Sequence, residues 1–196
     1  MRHDALVPLL IGCGPTSVPT IIDVTLEPVI LSAKEPIRAV PTAWGGTSKV
    51  PLTFEFDWLV DGYPRTETSE TLQVADYAKN QEVSVTVVAW DGERSSEAFT
   101  TEPIVVINSR PVIHDVWFEP AQPRDGDTVT VYTDATDADG EPLSLRHTWL
   151  SYSGETKTGS RNTRIASKYE SLQVRVVAWD GEQLSSPYVS DKVVPQ

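Results

Sequence analysis

Apolar and polar residues alternate along several short stretches of the chain, and a period of two is typical of strands with one buried face. In the stretch 52–58, the apolar face carries Leu52, Phe54, Phe56 and Trp58. In the stretch 83–90, it carries Val83, Val85, Val87 and Ala89. The pattern predicts further strands at 21–26, 37–40, 112–118 and 128–133, and no segment has a convincing helical period. The chain is therefore predicted to be all-β.

One nine-residue motif occurs twice in the chain. Residues 85–93 read VTVVAWDGE and residues 174–182 read VRVVAWDGE, identical at eight of nine positions and 89 residues apart. Upstream of the motif, Trp58 has a counterpart in Trp149, 91 residues later. Self-similarity at a fixed spacing indicates repeated structural units. The sequence predicts two copies of about 90 residues, at 19–108 and 111–196.

Each copy of the motif ends in Asp-Gly, at residues 91–92 and 180–181, and this pair favours a tight hairpin turn. By alternation, Trp90 and Trp179 lie opposite the apolar face of their strands and are expected to be partly exposed. Exposed tryptophans can stack on sugars or anchor a protein partner, so both are candidate ligand-binding residues. The alternative is cross-strand packing that caps the hairpin.

Several short strands in about 90 residues, with a tryptophan in mid-copy, resemble an immunoglobulin-like sandwich. The resemblance extends to PKD-like and cadherin-like modules of bacterial surfaces, which occur in tandem in secreted proteins and lipoproteins. It implies two tandem immunoglobulin-like β-sandwich domains. The inter-sheet disulfide of antibody domains is absent, and Trp58 and Trp149 are expected to take its place in the core.

An acidic stretch in the second copy is the best candidate site. Asp134, Asp137, Asp139 and Glu141 lie within eight residues, and carboxylate oxygens suit Ca²⁺. The segment 137–141 also resembles loops of PKD-like and cadherin-like modules, some of which bind calcium. The alternative is a solvated, turn-rich loop. The aligned residues 43–50 of the first copy contain no carboxylate, so the fold does not require the acidic stretch.

The N-terminus contains the single cysteine of the chain, Cys13. An apolar run at 5–12 leads into Leu10-Ile11-Gly12-Cys13, which resembles the lipobox of bacterial lipoprotein signal peptides. The resemblance implies cleavage before Cys13 and a lipid thioether on its sulfur. We therefore predict a signal peptide at 1–12 and a tether at 13–18. The alternative is a tail with a chance cysteine.

Charge and missing motifs narrow the classes of function. The formal net charge is −12, which argues against nucleic acid as a partner. No apolar run is long enough to span a bilayer, so membrane contact is expected through the lipid anchor only. Nucleophile-elbow, P-loop and dinucleotide motifs are absent. His147 replaces Phe56 on the apolar face and is interpreted as a core or rim histidine rather than a catalytic base. With these motifs absent, the chain is predicted not to be an enzyme.

These observations favour a non-catalytic, extracytoplasmic structural or adhesive protein of two immunoglobulin-like domains. It would be a lipoprotein of the outer membrane or cell surface, with a protein or a glycan as its partner. One alternative is a Ca²⁺-assisted glycan- or protein-binding module. Another is an immunoglobulin-like component of a filament or phage assembly. Ca²⁺ is the one cofactor suggested, and none is required for the fold.

Overall fold

The computed structural model describes residues 17–46, 50–151, 154–159 and 162–196. Their contacts divide the chain into two compact units. The first comprises the residues up to Leu31, Pro36–Asp76 and Gln81–Val105. The second comprises Val106–Gln196 together with two short segments from the first half of the chain, Ser32–Glu35 and Tyr77–Asn80. Within the described part, no helix is long and apolar enough to cross a membrane.

In its described residues, the first unit has eight strands and a 3₁₀ turn at Val74–Asp76. The strands are β1 (Ser17–Glu27), β2 (Ile37–Gly46), β3 (Thr53–Val60), β4 (Tyr63–Pro64), β5 (Thr71–Leu72), β6 (Glu82–Trp90), β7 (Phe99–Thr100) and β8 (Ile104–Val105). One sheet has the order β1-β2-β5. The other has the order β4-β3-β6-β7, with β8 also paired to β6. All these pairings are antiparallel.

The core of the first unit follows the predicted alternation. The inward residues of β6, Val83, Val85, Val87 and Ala89, are fully buried. Trp58 on β3 is also fully buried, and its indole Nε1 donates a hydrogen bond to the carbonyl of Ser69 at 2.9 Å. This bond satisfies the one polar atom of the ring, which a buried tryptophan needs.

The second unit repeats the arrangement, with seven strands in the part of it that the structure describes. They are β9 (Val112–Glu119), β10 (Thr128–Thr136), β11 (Ser144–Ser151), β12 (Gly154–Gly159), β13 (Thr163–Ile165), β14 (Val174–Trp179) and β15 (Tyr188–Val189). The sheets have the orders β13-β10-β9 and β12-β11-β14-β15. The predicted fold class is confirmed: the chain is all-β, with two tandem immunoglobulin-like β-sandwich domains.

The core of the second unit draws side chains from both of its sheets. Its members include Val116, Phe118, Val129, Val131, Trp149, Val174 and Val176. The rings of Phe118 and Trp149 are stacked, with centroids 5.9 Å apart. His147 is buried beside them at 5% exposure, and neither ring nitrogen has a hydrogen-bond partner. Burial lowers the pKa of His147. Of the two alternatives that its place on the apolar face left open, core or rim, the structure therefore shows a core histidine.

Two strands run further than the apolar pattern predicts. β2 continues to Gly46 and β10 to Thr136, and their last residues are mostly exposed or half-buried. The acidic stretch of the second copy therefore begins inside a strand, with Asp134 on β10 facing Asp115 of β9. Polar residues continue these strands because their partners β1 and β9 extend equally far and supply the ladder hydrogen bonds.

Candidate cation site

The candidate site is organised by the hairpin turn that follows β14. Oδ1 of Asp180 accepts the backbone N–H groups of Glu182 and Gln183, each at 2.6 Å. Gly181 has φ +110°, a conformation that favours glycine. The carboxylate is only 6% exposed. The turn therefore holds a carboxylate inside the protein at the end of a core strand.

Asp180 is held as an anion in this environment. Burial alone raises the pKa of the carboxyl group. The backbone N–H of Gln183, the Asn108 amide and the N–H of Glu182 outweigh that effect and lower the pKa below its ordinary value. The group is therefore charged at neutral pH, and a buried charge calls for a compensating partner.

Asn108 is the second deeply buried group, at 8% exposure. Its Nδ2 donates to Oδ2 of Asp180 at 2.9 Å and to the carbonyl of Ser109 at 3.2 Å. Its Oδ1 has no hydrogen-bond partner although it is buried. The side chain therefore contacts Asp180 through its amide nitrogen and also carries a buried oxygen without a partner.

Asp137 and Glu141 complete a cluster with Asp180. Among the described residues, these three carboxylates form a group whose ligand atoms all lie within 4.8 Å of one another. Oδ2 of Asp137 and Oε2 of Glu141 are buried and have no hydrogen-bond partner. Calcium–oxygen distances are about 2.3–2.6 Å, so two ligands of one ion can be about 5 Å apart. The spacing therefore fits a single bound cation.

Local backbone geometry positions Asp137. Its Oδ1 accepts the N–H of Asp139 at 2.8 Å, and its carbonyl accepts the N–H of Gly140 at 3.3 Å. This is an Asx turn, in which a side-chain oxygen of aspartate accepts a hydrogen bond from the backbone N–H two residues later. Oδ2 of Asp137 makes no hydrogen bond to the backbone, and it is the oxygen available to the cluster.

Lys79 supplies a positive charge to this group. Its Nζ lies 2.5 Å from Oε1 of Glu141 and 2.5 Å from Oε1 of Glu182, and its side chain is only 11% exposed. The pKa of Lys79 is raised, chiefly by its hydrogen bond to Glu141 and, to a smaller extent, by its hydrogen bond to Glu182. Together with Asp137 and Asp180, the four carboxylates outnumber this single ammonium.

The structure brings together only part of the predicted acidic set. Asp137 and Glu141 lie in the cluster, whereas Asp134 and Asp139 do not. Both oxygens of Asp139 accept hydrogen bonds from Ser109, from its N–H at 2.6 Å and from its Oγ at 3.3 Å. Asp134 is exposed on β10.

Asp180 was missed as a site residue because the Asp-Gly pair was interpreted only as a turn. The first copy indicates what could have identified it. There, Asp91 is fully buried and accepts the N–H groups of Glu93 and Arg94, while the Arg94 guanidinium contacts its Oδ2 at 3.0 Å. The residue aligned with Arg94 in the second copy is Gln183, which has no charge.

The residue aligned with Asp137 in the first copy is Gly46, with φ +83°. A Cβ atom at this position would lie 3.1 Å from Cβ of Asp91 and 3.0 Å from Leu52. A side chain at Gly46 would therefore crowd Leu52 and Asp91, and the first copy balances its buried aspartate with arginine instead. The absence of that arginine from the second copy, combined with the carboxylates at the positions of Gly46 and Val50, is the sequence signal for the cluster.

The two tryptophans predicted as ligand-binding residues are partly exposed, Trp90 at 42% and Trp179 at 40%. Their strand partners are Thr53 and Ser144. Their exposure agrees with the alternation, and a role in binding stays a prediction. Cys13, the predicted lipidation site, lies outside the described residues.

No protein-family model matches the chain, and no curated protein matches it in sequence. Among solved structures, the chicken interferon gamma receptor alpha chain is similar over 92% of this chain and 100% of its own, with 12% identity and a TM-score of 0.49. A two-domain fibronectin type III segment of chicken tenascin has 13% identity and a TM-score of 0.37, covering 91% of this chain and 99% of its own. The three N-terminal domains of the bacteriophage RB49 outer capsid protein Hoc have 14% identity and a TM-score of 0.35, covering 91% and 59%.

Proposed function

We propose that the chain is a non-catalytic structural protein whose second domain binds Ca²⁺ at Asp137, Glu141 and Asp180. The observation that carries the proposal is a group of three carboxylates, with Asp180 buried and the other two half-buried, in which one oxygen each of Asp137 and Glu141 is buried without a partner. Buried charges are normally paired or coordinate a metal, because an uncompensated buried charge is costly. Lys79 compensates Glu141, and a divalent cation would compensate the remaining charge.

The donor set favours Ca²⁺ over other metals. All of its donors are oxygens, which suit Ca²⁺ and Mg²⁺, whereas zinc sites use mainly nitrogen and sulfur. Asn108 adds a neutral oxygen when its amide is rotated by 180° toward the ion. Four protein side chains leave room for water in a shell of six to eight oxygens. Mg²⁺ demands a stricter octahedral geometry at shorter distances, so the spread of up to 4.8 Å favours the larger ion.

A bound cation would link parts of the second domain that are distant in sequence. Asp137 follows β10, Asp180 follows β14, and Asn108 precedes β9. An ion that binds only the folded state stabilises it by about 2.7 kcal/mol when its concentration is 100 times the dissociation constant. The proposed role of the ion is therefore structural: it stiffens one end of the second sandwich.

Calorimetric titration of the full chain with CaCl₂, with and without MgCl₂, tests the site. We expect one Ca²⁺ per chain, a higher melting temperature, and slower amide exchange around residues 137–141 and 180–183. Asp137→Asn and Glu141→Gln should abolish these effects. Asp134→Asn is the matched control, since it removes one carboxylate of the same stretch from outside the cluster. Equal loss in the control, or no binding by the native chain at millimolar Ca²⁺, would contradict the proposal.

The proposal extends to location: the protein is extracytoplasmic and anchored by lipid at Cys13. The support is the apolar run that ends at Leu10-Ile11-Gly12-Cys13. Acyl chains on a processed cysteine would anchor the domains to a membrane surface. Mass spectrometry of the native N-terminus should find a peptide that begins with diacylated Cys13. A peptide that retains Met1 would contradict the anchor.

A second candidate function is binding of a glycan or protein at the cell surface. It is favoured by the partial exposure of Trp90 and Trp179 at equivalent positions of the two copies. On a glycan array, Trp90→Ala and Trp179→Ala should each weaken any binding of the native chain. Unchanged binding in both variants would assign the tryptophans to hairpin packing instead.

A further inference from the structure

We propose that Lys79 is an internal competitor for the cation, so that Ca²⁺ binds only by displacing this ammonium from Glu141. The inference rests on the calcium site proposed above. It concerns how the site is regulated rather than whether it exists.

The geometry places Lys79 and the cation in competition for one carboxylate. Nζ of Lys79 contacts Oε1 of Glu141 at 2.5 Å, while Oε2 of the same group is buried without a partner. A carboxylate that ligates Ca²⁺ with one oxygen and a lysine with the other would hold two cations close together. Even with the screening of bulk water, a divalent and a monovalent cation about 5 Å apart repel each other. That repulsion is large enough to weaken the affinity of the site for Ca²⁺ more than tenfold.

Lys79 is also held in place by its own segment. The N–H of Asn80 donates to the carbonyl of Val106 at 2.8 Å, and the hydroxyl of Tyr77 donates to the carbonyl of Glu35. All of these residues belong to the second unit. The ammonium is therefore directed at the cluster by anchored backbone on both sides, unlike a lysine on an open surface.

Glu182 gives the displaced ammonium a second partner. Its Oε1 lies 2.5 Å from Nζ of Lys79, and its side chain is 56% exposed. When Glu141 turns to the cation, Lys79 can keep this contact and move toward solvent. Glu182 also follows Asp180 by two residues, so the partner that receives the ammonium is part of the same turn. After the exchange, Ca²⁺ is paired with Glu141 and the Lys79 ammonium with Glu182.

Calorimetric titration of full-length variants with CaCl₂ tests the competition. Lys79→Met keeps most of the aliphatic stem and removes the charge, and we expect its dissociation constant to fall at least tenfold below that of the native chain. Lys79→Arg keeps a positive charge and should bind less tightly than Lys79→Met. Lys168→Met is the matched control: it removes one positive charge from the same domain, where the Lys168 ammonium lies 4.0 Å from Asp125 and over the ring of Tyr169. Its affinity should stay within twofold of the native value.

The outcomes separate this inference from the site itself. If the native chain binds Ca²⁺ and Lys79→Met binds no more tightly than Lys168→Met, the competition is refuted while the site stands. If only Lys79→Met binds, the native chain holds the ammonium in place of the metal: the proposed calcium binding by the native chain is refuted, while the competition for Glu141 is supported. If no variant binds, although circular dichroism shows each one folded, both the site and the competition are refuted.

Discussion

Replacing His147 by phenylalanine should stabilise the second domain. Both ring nitrogens of His147 are buried without a hydrogen-bond partner. The aligned residue of the first copy is Phe56, which is buried opposite Val87 of β6, as His147 is opposite Val176 of β14. The surroundings therefore already accommodate a phenyl ring in one copy of the same fold.

The magnitude follows from the two unsatisfied nitrogens. A buried polar group without a partner costs about 1–3 kcal/mol. The phenyl ring is slightly larger than the imidazole ring, and the crowding that it causes offsets part of the stabilisation. We expect His147→Phe to raise the free energy of unfolding by about 1–2 kcal/mol at pH 7.5. For a domain of this size, each kcal/mol corresponds to about 4–8 °C in melting temperature.

The effect should grow in acid. Burial lowers the pKa of His147 from its ordinary value of 6.5, so the unfolded chain protonates this ring more readily than the folded one. The contribution of the neutral ring to stability is complete above pH 6.5 and is lost as the pH falls toward the lowered pKa. His147→Phe abolishes this loss, and its advantage should therefore be larger at pH 5.5 than at pH 7.5.

Calorimetric melting of the full chain between pH 5 and 8 measures both effects. His114→Phe is the control, because His114 is exposed on β9 and bonds Thr136 through its Nε2 at 2.7 Å. It should change neither the melting temperature nor its pH dependence by a comparable amount. The reciprocal change, Phe56→His, should destabilise the first domain. A His147→Phe variant that melts no higher than the native chain, with the same slope in acid, would refute the reasoning.

Three further changes test the first domain, each by thermal melting. Arg94→Gln removes the guanidinium from buried Asp91 and should lower the melting temperature by a few degrees; no change would show that the turn amides alone hold the carboxylate. Gly46→Ala should cost about 1 kcal/mol more than Gly62→Ala. Both glycines have positive φ, but a Cβ atom meets neighbours only at Gly46. Trp58→Phe should cost about 2–3 kcal/mol through lost volume and a lost hydrogen bond, and a cost below 1 kcal/mol would contradict its core role.

The core strands could be predicted because burial imposes its period directly on the sequence. β6 reads as alternating valines since one face touches the core, and the repeat at 174–182 doubles the signal. The ends of β2 and β10 could not be predicted in this way. Their last residues are largely exposed, so only the hydrogen bonds of the neighbouring strand keep them extended.

The sequence predicted only those members of the candidate cation site that lie close together along the chain. Asp137 and Glu141 lie four residues apart in one acidic stretch, so their spacing along the chain was enough to predict them. Asp180 and Asn108 join them only through the fold, because the sheet brings the ends of distant segments together. Lys79 lies more than 50 residues before the acidic stretch, and no periodicity connects the two. Contacts of this kind become visible only in three dimensions.

The paired turns bear on how a metal site can arise in a duplicated protein. Both copies bury an aspartate on the same backbone amides, so the turn by itself gives this carboxylate a structural role in either copy. The costly part of a cation site, a buried carboxylate, is therefore present in each domain. Changes at the positions of Gly46, Val50 and Arg94 separate the arginine-balanced turn from the acidic cluster. A new ligand site of this type is thus a short evolutionary distance from a purely structural turn, and tandem copies can explore it one domain at a time.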